Sequence, residues 1–571
     1  MTALGIFKII LFVVILILIT KPLGLYIKKV VSGEKTFLDR LLVPIEKLIY
    51  KICLIDSITE QNWKQYTISL LLFSFFGIIL TIAIQMLQYY LPMNPQHLKG
   101  VPFILSLNTA ISFVSNTNWQ AYAGESTLGY TAQVVALSFQ QFVSAATGIA
   151  VVIALSRAFG RKQTEYLGNF WVDLTRISLW ILFPLCIIIA LFYVSQGVPQ
   201  NISAYITAHT LDAGKQILPQ GPMASFEAIK SLGTNGGGFL GANSMHPFEN
   251  PNGLTNFIQV LSIFAIGVAL TYTFGLLVKS TKQGWTILIA MLVMFLFFTT
   301  SMYYFESQGN PRITKVDHIE SVGSVAKYGQ NMEGKETRFG IADSVLYASV
   351  TTSASDGGVN AQMETLNPIS GGIAMFNMAV GELIVGGVGT GLYNMLMMII
   401  LTVFIAGLMV GRSPEFLGKK IGIHEMKWAI VAILISPFCV LFFTALTCFV
   451  PSLLHEFTAF GPHGFSRILY AFISASNNNG SAFNFISSNT TYFNLATGTC
   501  MLLGRFVSIA AIMAVAGSLA KKKITPASSG TFPTTGVLFI VMLIICILII
   551  GGLNFFPALA LGPITEHLML F

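Results

Sequence analysis

Charge is what this sequence has least of. Of its 571 residues only 10% are Asp, Glu, Lys or Arg, whereas 54% are hydrophobic and the mean hydropathy is +0.72. Soluble domains carry roughly 25% charged residues to keep their surfaces in water, so a string of soluble globular domains is excluded. Cysteine is scarce as well. Cys53, Cys186, Cys439, Cys448, Cys500 and Cys546 form no C-x-x-C pair and lie mostly in or beside apolar blocks. That argues against a disulfide framework or a zinc site, and they read as small packing residues. A G-x-x-x-x-G-K-[ST] phosphate loop and an Asp-Lys-Thr-Gly phosphorylation sequence are also missing. No Ser/His/Asp or metal-ligand spacing emerges either, and His246 in SMHPF and His463 in GPHGF read as loop-ordering residues. A membrane-embedded enzyme is therefore a poor reading, and the chain alone has no means of coupling to ATP.

What is present is a series of apolar blocks of the length that crosses a bilayer core of ~30 Å. Hydropathy predicts an all-α polytopic membrane protein with about ten transmembrane helices, near residues 5–24, 66–88, 128–155, 174–195, 254–278, 284–305, 375–411, 427–450, 495–520 and 534–556. The formal net charge of +8 raises the question of nucleic acid, but placement answers it. Basic residues concentrate in alternate connections: Lys21 to Lys64, Arg157 to Lys162, Lys279 and Lys282, Arg412 to Lys427, and Lys521 to Lys523. By the positive-inside rule these face the cytoplasm, which puts both termini outside. The connection after Glu306 also carries Arg312, Lys315, Lys327, Lys335 and Arg338, but long loops translocate largely regardless of charge. Lys8 before an apolar run imitates a secretory signal. The heavier positive charge follows that run and no small-residue cleavage site ends it, so an uncleaved first span is expected.

Each external connection holds an apolar stretch too short to span, followed by a turn of Asn, Gly, Ser and Thr. The turns are SFVSNTNWQ, SLGTNGGGF, TTSASDGGVN and SASNNNGSAF, and Asn118, Gly236, Gly357 and Gly480 recur at intervals of 118, 121 and 123 residues. A near-constant period implies fourfold duplication. Non-helical backbone at membrane depth survives only where it is buried or lines a water-filled cavity, so four such loops about a pseudo-fourfold axis predict a pore. Oxygen-bearing side chains, glycines that let carbonyls turn inward, and negative helix C-termini suit a cation. The chain then parses as 1–65 (first helix and cytoplasmic linker), pore repeats 66–155, 174–278, 284–411 and 427–520, and a last helix at 534–556.

Two buried charges stand out. Arg505, in LLGRF, is the lone basic residue deep in a span, and Glu382 is the only acidic residue inside the region 371–411. An intramembrane charge is a functional hypothesis by default, although an arginine bonded to helix carbonyls or a glutamate capping a helix is the structural alternative. The 371–411 region is about twice the length that one helix needs, and its middle carries Gly386, Gly387, Gly389 and Gly391. Glycine disfavours helix by about 1 kcal/mol relative to alanine. An interrupted segment lining a path is expected, with a glycine packing face as the alternative.

The strings SNTNWQAYAGE, LGTNGGGFLGANSMHPFENPN, GELIVGGVGTGLYNML, SASNNNGSAFNF and LLGRF together resemble the potassium-translocating A subunits of bacterial Kdp ATPases. The resemblance implies the potassium transporter superfamily fold, four membrane-pore-membrane repeats with re-entrant pore helices, and potassium as the bound ion. It implies a cell-membrane complex in which the P-type ATPase subunit KdpB uses ATP, aided by the single-span KdpC and KdpF, with no nucleotide on this chain. Carried onto this sequence, the filter triplets are Asn116, Thr117, Asn118; Thr234, Asn235, Gly236; Ser355, Asp356, Gly357; and Asn478, Asn479, Gly480, with Gln120 just beyond the first. Asp356 departs from the expected neutral residue. It either raises cation occupancy or points into a hydrogen-bonded shell, and the second is favoured because potassium filters coordinate through carbonyls. Arg505 resembles the arginine beneath the filter. A stand-alone or nucleotide-gated channel of the Trk/Ktr type is the alternative with the same architecture.

Overall fold

The computed structural model describes every residue except 213, 311–329, 455–459, 484–487, 527–530 and 571, so Arg312, Lys315 and Lys327 lie outside the described residues. Inside a bilayer each backbone N–H and C=O must find its partner within its own segment, and the apolar runs are accordingly helices. In chain order they are α1 (Ala3–Val31), α2 (Asp39–Ile52), α3 (Trp63–Tyr90), α4 (Phe103–Val114), α5 (Ala132–Gly160), α6 (Phe170–Ser195), α7 (Met223–Leu232) and α8 (Gly253–Leu277). The second half adds α9 (Thr281–Glu306), α10 (Gly340–Ala354), α11 (Pro368–Ala379), α12 (Thr390–Met409), α13 (Ile423–Phe449), α14 (Gly461–Ser476), α15 (Thr491–Lys521) and α16 (Val537–Leu570). Ten of these are long and apolar enough to cross a membrane, and α4, α7, α10 and α14 are the four short re-entrant helices.

Burial separates an inner from an outer ring of spans. The apolar windows of α5 and α8 are 89% and 83% buried, against 28% for α3 and 22% for α16. α1, outside the repeat pattern, is held against α8 by a close approach of small residues. Thr273 donates its hydroxyl to the Gly24 carbonyl at 3.1 Å, and Phe12 packs on Phe264 and Phe295 with ring centroids 5.8 Å away.

The seventh apolar region, where an interruption is expected, comprises two helices, α11 and α12, separated by residues 380–389. One boundary needs correcting. The last helix does not stop near 556 but continues to Leu570 through a wider π turn at Ala560–Ile564. Pro557 and Pro563 mark that turn: a proline offers no N–H to the ordinary ladder, and the wider turn accommodates the gap. On the side read as cytoplasmic, the Lys419 ammonium donates to Ala158, Arg161 and Leu519 carbonyls at 2.6, 2.8 and 2.6 Å. It thereby neutralises the negative C-terminal ends of α5 and α15 and ties the first and fourth repeats together.

Candidate ion filter and its flanking cavities

The four turns after the re-entrant helices share one backbone solution. In each triplet the middle residue returns its N–H to the carbonyl five residues earlier: Thr117 to Ser112 at 2.8 Å, Asn235 to Lys230 at 3.0 Å, Asp356 to Thr351 at 3.0 Å and Asn479 to Ser474 at 2.8 Å. The first and third residues of every triplet have positive φ: Asn116 and Asn118, Thr234 and Gly236, Ser355 and Gly357, Asn478 and Gly480. The N–H groups are thus drawn back onto the helix ends and the carbonyls are freed. Asn118 tolerates the position glycine holds elsewhere because Asn enters the left-handed region more readily than most residues.

The turns close into a ring in sequence order. A methyl carbon placed on Gly236 would collide with the Asp356 carbonyl oxygen, one on Gly357 with that of Asn479, and one on Gly480 with that of Thr117. The remaining junction is made by side chains, Asn116 and Asn118 donating to the carbonyls of Thr234 at 2.8 Å and Gly236 at 3.3 Å. Gln120 braces the same junction, exchanging two hydrogen bonds of 2.9 Å with Gly238. Asn478 donates to Thr117 Oγ1 at 2.8 Å, and Asn479 to the Thr351 carbonyl at 2.9 Å. All twelve triplet residues and Gln120 therefore come together, on the C-terminal ends of four helices whose dipoles place negative potential there.

Asp356 is fully buried, its Oδ2 accepting from the Gly358 N–H at 2.8 Å. Its carboxylate sits behind the ring while its carbonyl belongs to it. Sequence reasoning missed what faces it. Lys230, which lies in a connection read as external, is fully buried on α7 and paired at 2.6 Å with Glu227. The available signal was an opposite-charge pair three residues apart inside a re-entrant helix.

One cavity opens on each side of the ring. The outer, about 450 Å³, is lined by Gln120, Tyr122, Asn243, Gly480 and Phe483 among others. The inner, about 50 Å³, is lined by Glu382, Asn478 and Arg505, with walls from α13 (Ser436, Pro437) and α16 (Ile547, Ile550, Asn554). Residues 380–389 lie against the ring, the Val388 N–H donating to Thr234 Oγ1 at 2.9 Å. Gly386 and Gly391 approach each other so closely that neither admits a side chain, and Gly387 and Gly389 face the Ala354 and Gly148 carbonyls. Glu382 holds φ +60 and its Oε2 accepts from the Gly387 N–H at 3.2 Å. Arg505 sits in a π turn of α15 and donates through Nη1 to Thr390 Oγ1 at 2.5 Å and the Tyr393 hydroxyl at 3.3 Å. The arginine thus holds the first turn of α12, and the glutamate braces the break that precedes it.

The family described as KdpA, potassium-transporting ATPase A subunit, matches residues 10–568. A potassium-transporting ATPase potassium-binding subunit from Brucella anthropi is 52% identical over 568 residues, covering 100% of this chain and 99% of that protein. The subunit of the same name from Francisella tularensis subsp. novicida is 51% identical, with 98% of each chain covered. Among solved structures, the potassium transporter TrkH from Vibrio parahaemolyticus matches with a TM-score of 0.51 at 13% identity, over 77% of this chain and 83% of that one. That likeness is one of fold.

Proposed function

This chain belongs to the family of potassium-transporting ATPase A subunits, and from that premise we propose that the ring of four turns is the filter at which potassium is selected on its way to an ATP-driven partner. The observation that carries the reading is the shared i to i−5 hydrogen bond, which removes four N–H groups from the ring and leaves carbonyl oxygens to replace the hydration shell of a cation. Asn116, Thr117, Asn118, Thr234, Asn235, Gly236, Ser355, Asp356, Gly357, Asn478, Asn479 and Gly480 form it, and Gln120 holds its outer rim. The pore repeats are 66–155, 174–278, 284–411 and 427–520.

Below the filter, Glu382, the glycines of the break and Arg505 form a gate. The inner cavity is walled by α13 and α16 rather than only by the central helices, which supports a sideways path within the membrane toward the partner. The resemblance assigns ATP hydrolysis to KdpB, with KdpC and KdpF completing the complex, and leaves this chain to bind potassium and no nucleotide. In cells lacking potassium uptake, growth on scarce potassium is expected only when this chain is coexpressed with all three. Rescue by the chain alone would indicate a stand-alone channel of the Trk/Ktr type.

The orientation in the cell membrane, both termini outside, has its own test. Cys53 is exposed after α2, while the other five cysteines are buried or partly so. An impermeant thiol reagent should label Cys53 only from the cytoplasmic face, and a Gln216→Cys variant additionally from the external face. Labelling of both from one face would overturn the topology.

A further inference from the structure

Behind the filter lies a group of buried charged side chains that line neither of the two cavities. Glu227 and Lys230 on α7, Glu249 after the second filter turn, and Asp356 in the third are all fully buried. Lys230 pairs with Glu227 at 2.6 Å, its side chain converges with the Asp356 carboxylate at Gly358, and Glu249 accepts from the Ser244 N–H at 3.4 Å. Ser244 links the set: it receives a hydrogen bond from the Lys230 ammonium, donates to Glu227 Oε1 at 2.6 Å, and is met by the Tyr347 hydroxyl of α10 at 3.2 Å. Glu249 in turn accepts from the Leu240 N–H at 3.0 Å. At Gly358 the Asp356 carboxylate, the Tyr347 hydroxyl and the Lys230 side chain crowd so closely that a methyl carbon there would lie 2.6, 2.9 and 3.3 Å from them. Asp356 Oδ1 and Glu227 Oε2 accept no hydrogen bond among the described residues.

The group is joined to the ring by main chain at two of the four turns. The Lys230 carbonyl accepts the Asn235 N–H, and Asp356 contributes its own carbonyl to the ring. Asn243, next to Ser244, donates to the Gly357 carbonyl at 3.1 Å. A displacement of the lysine or the aspartate would therefore move carbonyls of two adjacent repeats. Three carboxylates and one ammonium also leave the set short of positive charge, in surroundings from which water is excluded and fields are weakly screened.

We propose that Lys230 and Asp356 are positioning residues of the filter, a charge pair spanning the second and third repeats that sets how tightly the ring holds potassium. The proposal rests on the filter assignment above. A potassium ion in the ring supplies the cation that the set lacks, and the pair fixes the carbonyls that hold it.

Asp356→Asn keeps an acceptor for the Gly358 N–H and removes only the charge. In the complete complex it is expected to raise the potassium concentration for half-maximal ATPase stimulation about tenfold, since a unit charge ~10 Å away at an effective dielectric of ~20 is worth roughly that factor. The change should appear in the potassium concentration for half-maximal stimulation more than in the maximal rate. Lys230→Met should shift affinity the opposite way, toward tighter potassium, which mere structural damage does not do. The double variant Lys230→Met/Asp356→Asn carries the same formal charge as the natural set and is expected to assemble normally with near-natural affinity, even where Lys230→Met alone fails to assemble. Wild-type potassium affinity and rubidium discrimination in Asp356→Asn, or a double variant worse than both singles, would overturn the proposal. Gly236→Asp separates the two ideas: if it impairs affinity while Asp356→Asn does not, the filter stands and the charge pair falls; if neither changes anything, the filter assignment itself has failed.

Discussion

Gly236→Asp is expected to weaken potassium affinity by ten- to a hundredfold, roughly 1.4 to 2.8 kcal/mol, and to let other monovalent cations stimulate ATP hydrolysis. Two effects act together. Gly236 has φ +75, a conformation that disfavours a residue with a Cβ by about 1 to 2 kcal/mol. The added carbon also has no room, because the Asp356 carbonyl of the next repeat occupies its place. The ring must widen at the junction of the second and third repeats, and a wider ring no longer distinguishes cations by how well it replaces their hydration. The new carboxylate adds attraction for any cation, which is why selectivity should suffer even more than affinity. Gly552→Ala, on α16 where a methyl group would meet nothing within 4 Å, is the control and should leave both unchanged. Measuring ATPase stimulation by potassium, rubidium and sodium in both complexes checks the expectation. An unchanged potassium affinity and cation preference in Gly236→Asp would remove the second turn from the filter.

The ten spans could be read from hydropathy because a bilayer forces one kind of answer onto each long apolar run. The four turns could be read because duplication repeats one backbone requirement, positive φ at the first and third residues, which Gly and Asn meet at little cost and which Thr234 and Ser355 hold under strain. Other parts were hidden for definite reasons. Glu227 and Lys230 look like a solvated surface pair on a short helix, since spacing three apart is equally good in water and in a buried network, and only the surrounding repeat shows that this helix is submerged. Lys419 was one basic residue among several in its connection, and nothing local says that three helix-end carbonyls converge on it. The break in the seventh apolar region was announced by its glycines. Its non-glycine residues with positive φ, Glu382 and Val385, were not, because their carbonyls close onto Gly391 at the start of α12, an approach that exists only in the folded chain.

Neutralising the two charges beneath the proposed filter should separate holding the ion from passing it on. Arg505→Gln removes a guanidinium that is only 4% exposed, lines the inner cavity, and anchors Thr390 and Tyr393 at the start of α12. Both consequences loosen the gate: repulsion of a descending cation disappears, and the helix that follows the break loses its tether. Passive potassium leak, or ATP hydrolysis without matching uptake, is the expected result. Arg505→Lys keeps the charge on a shorter side chain without the guanidinium whose Nη1 reaches the Thr390 and Tyr393 hydroxyls, so it should suppress leak while leaving coupling impaired. Glu382→Gln retains an oxygen for the Gly387 N–H and loses only the charge. At an effective dielectric of ~20, unit charges ~8 Å apart interact by about 2 kcal/mol, so transport should slow by roughly tenfold or more while cation preference, set above it, stays as it was. The readout is potassium flux and ATP hydrolysis measured together in proteoliposomes containing the whole complex. If Arg505→Gln and Glu382→Gln both assemble and show tight, fully coupled flux, these residues merely pack the helices and the gate lies elsewhere along the path.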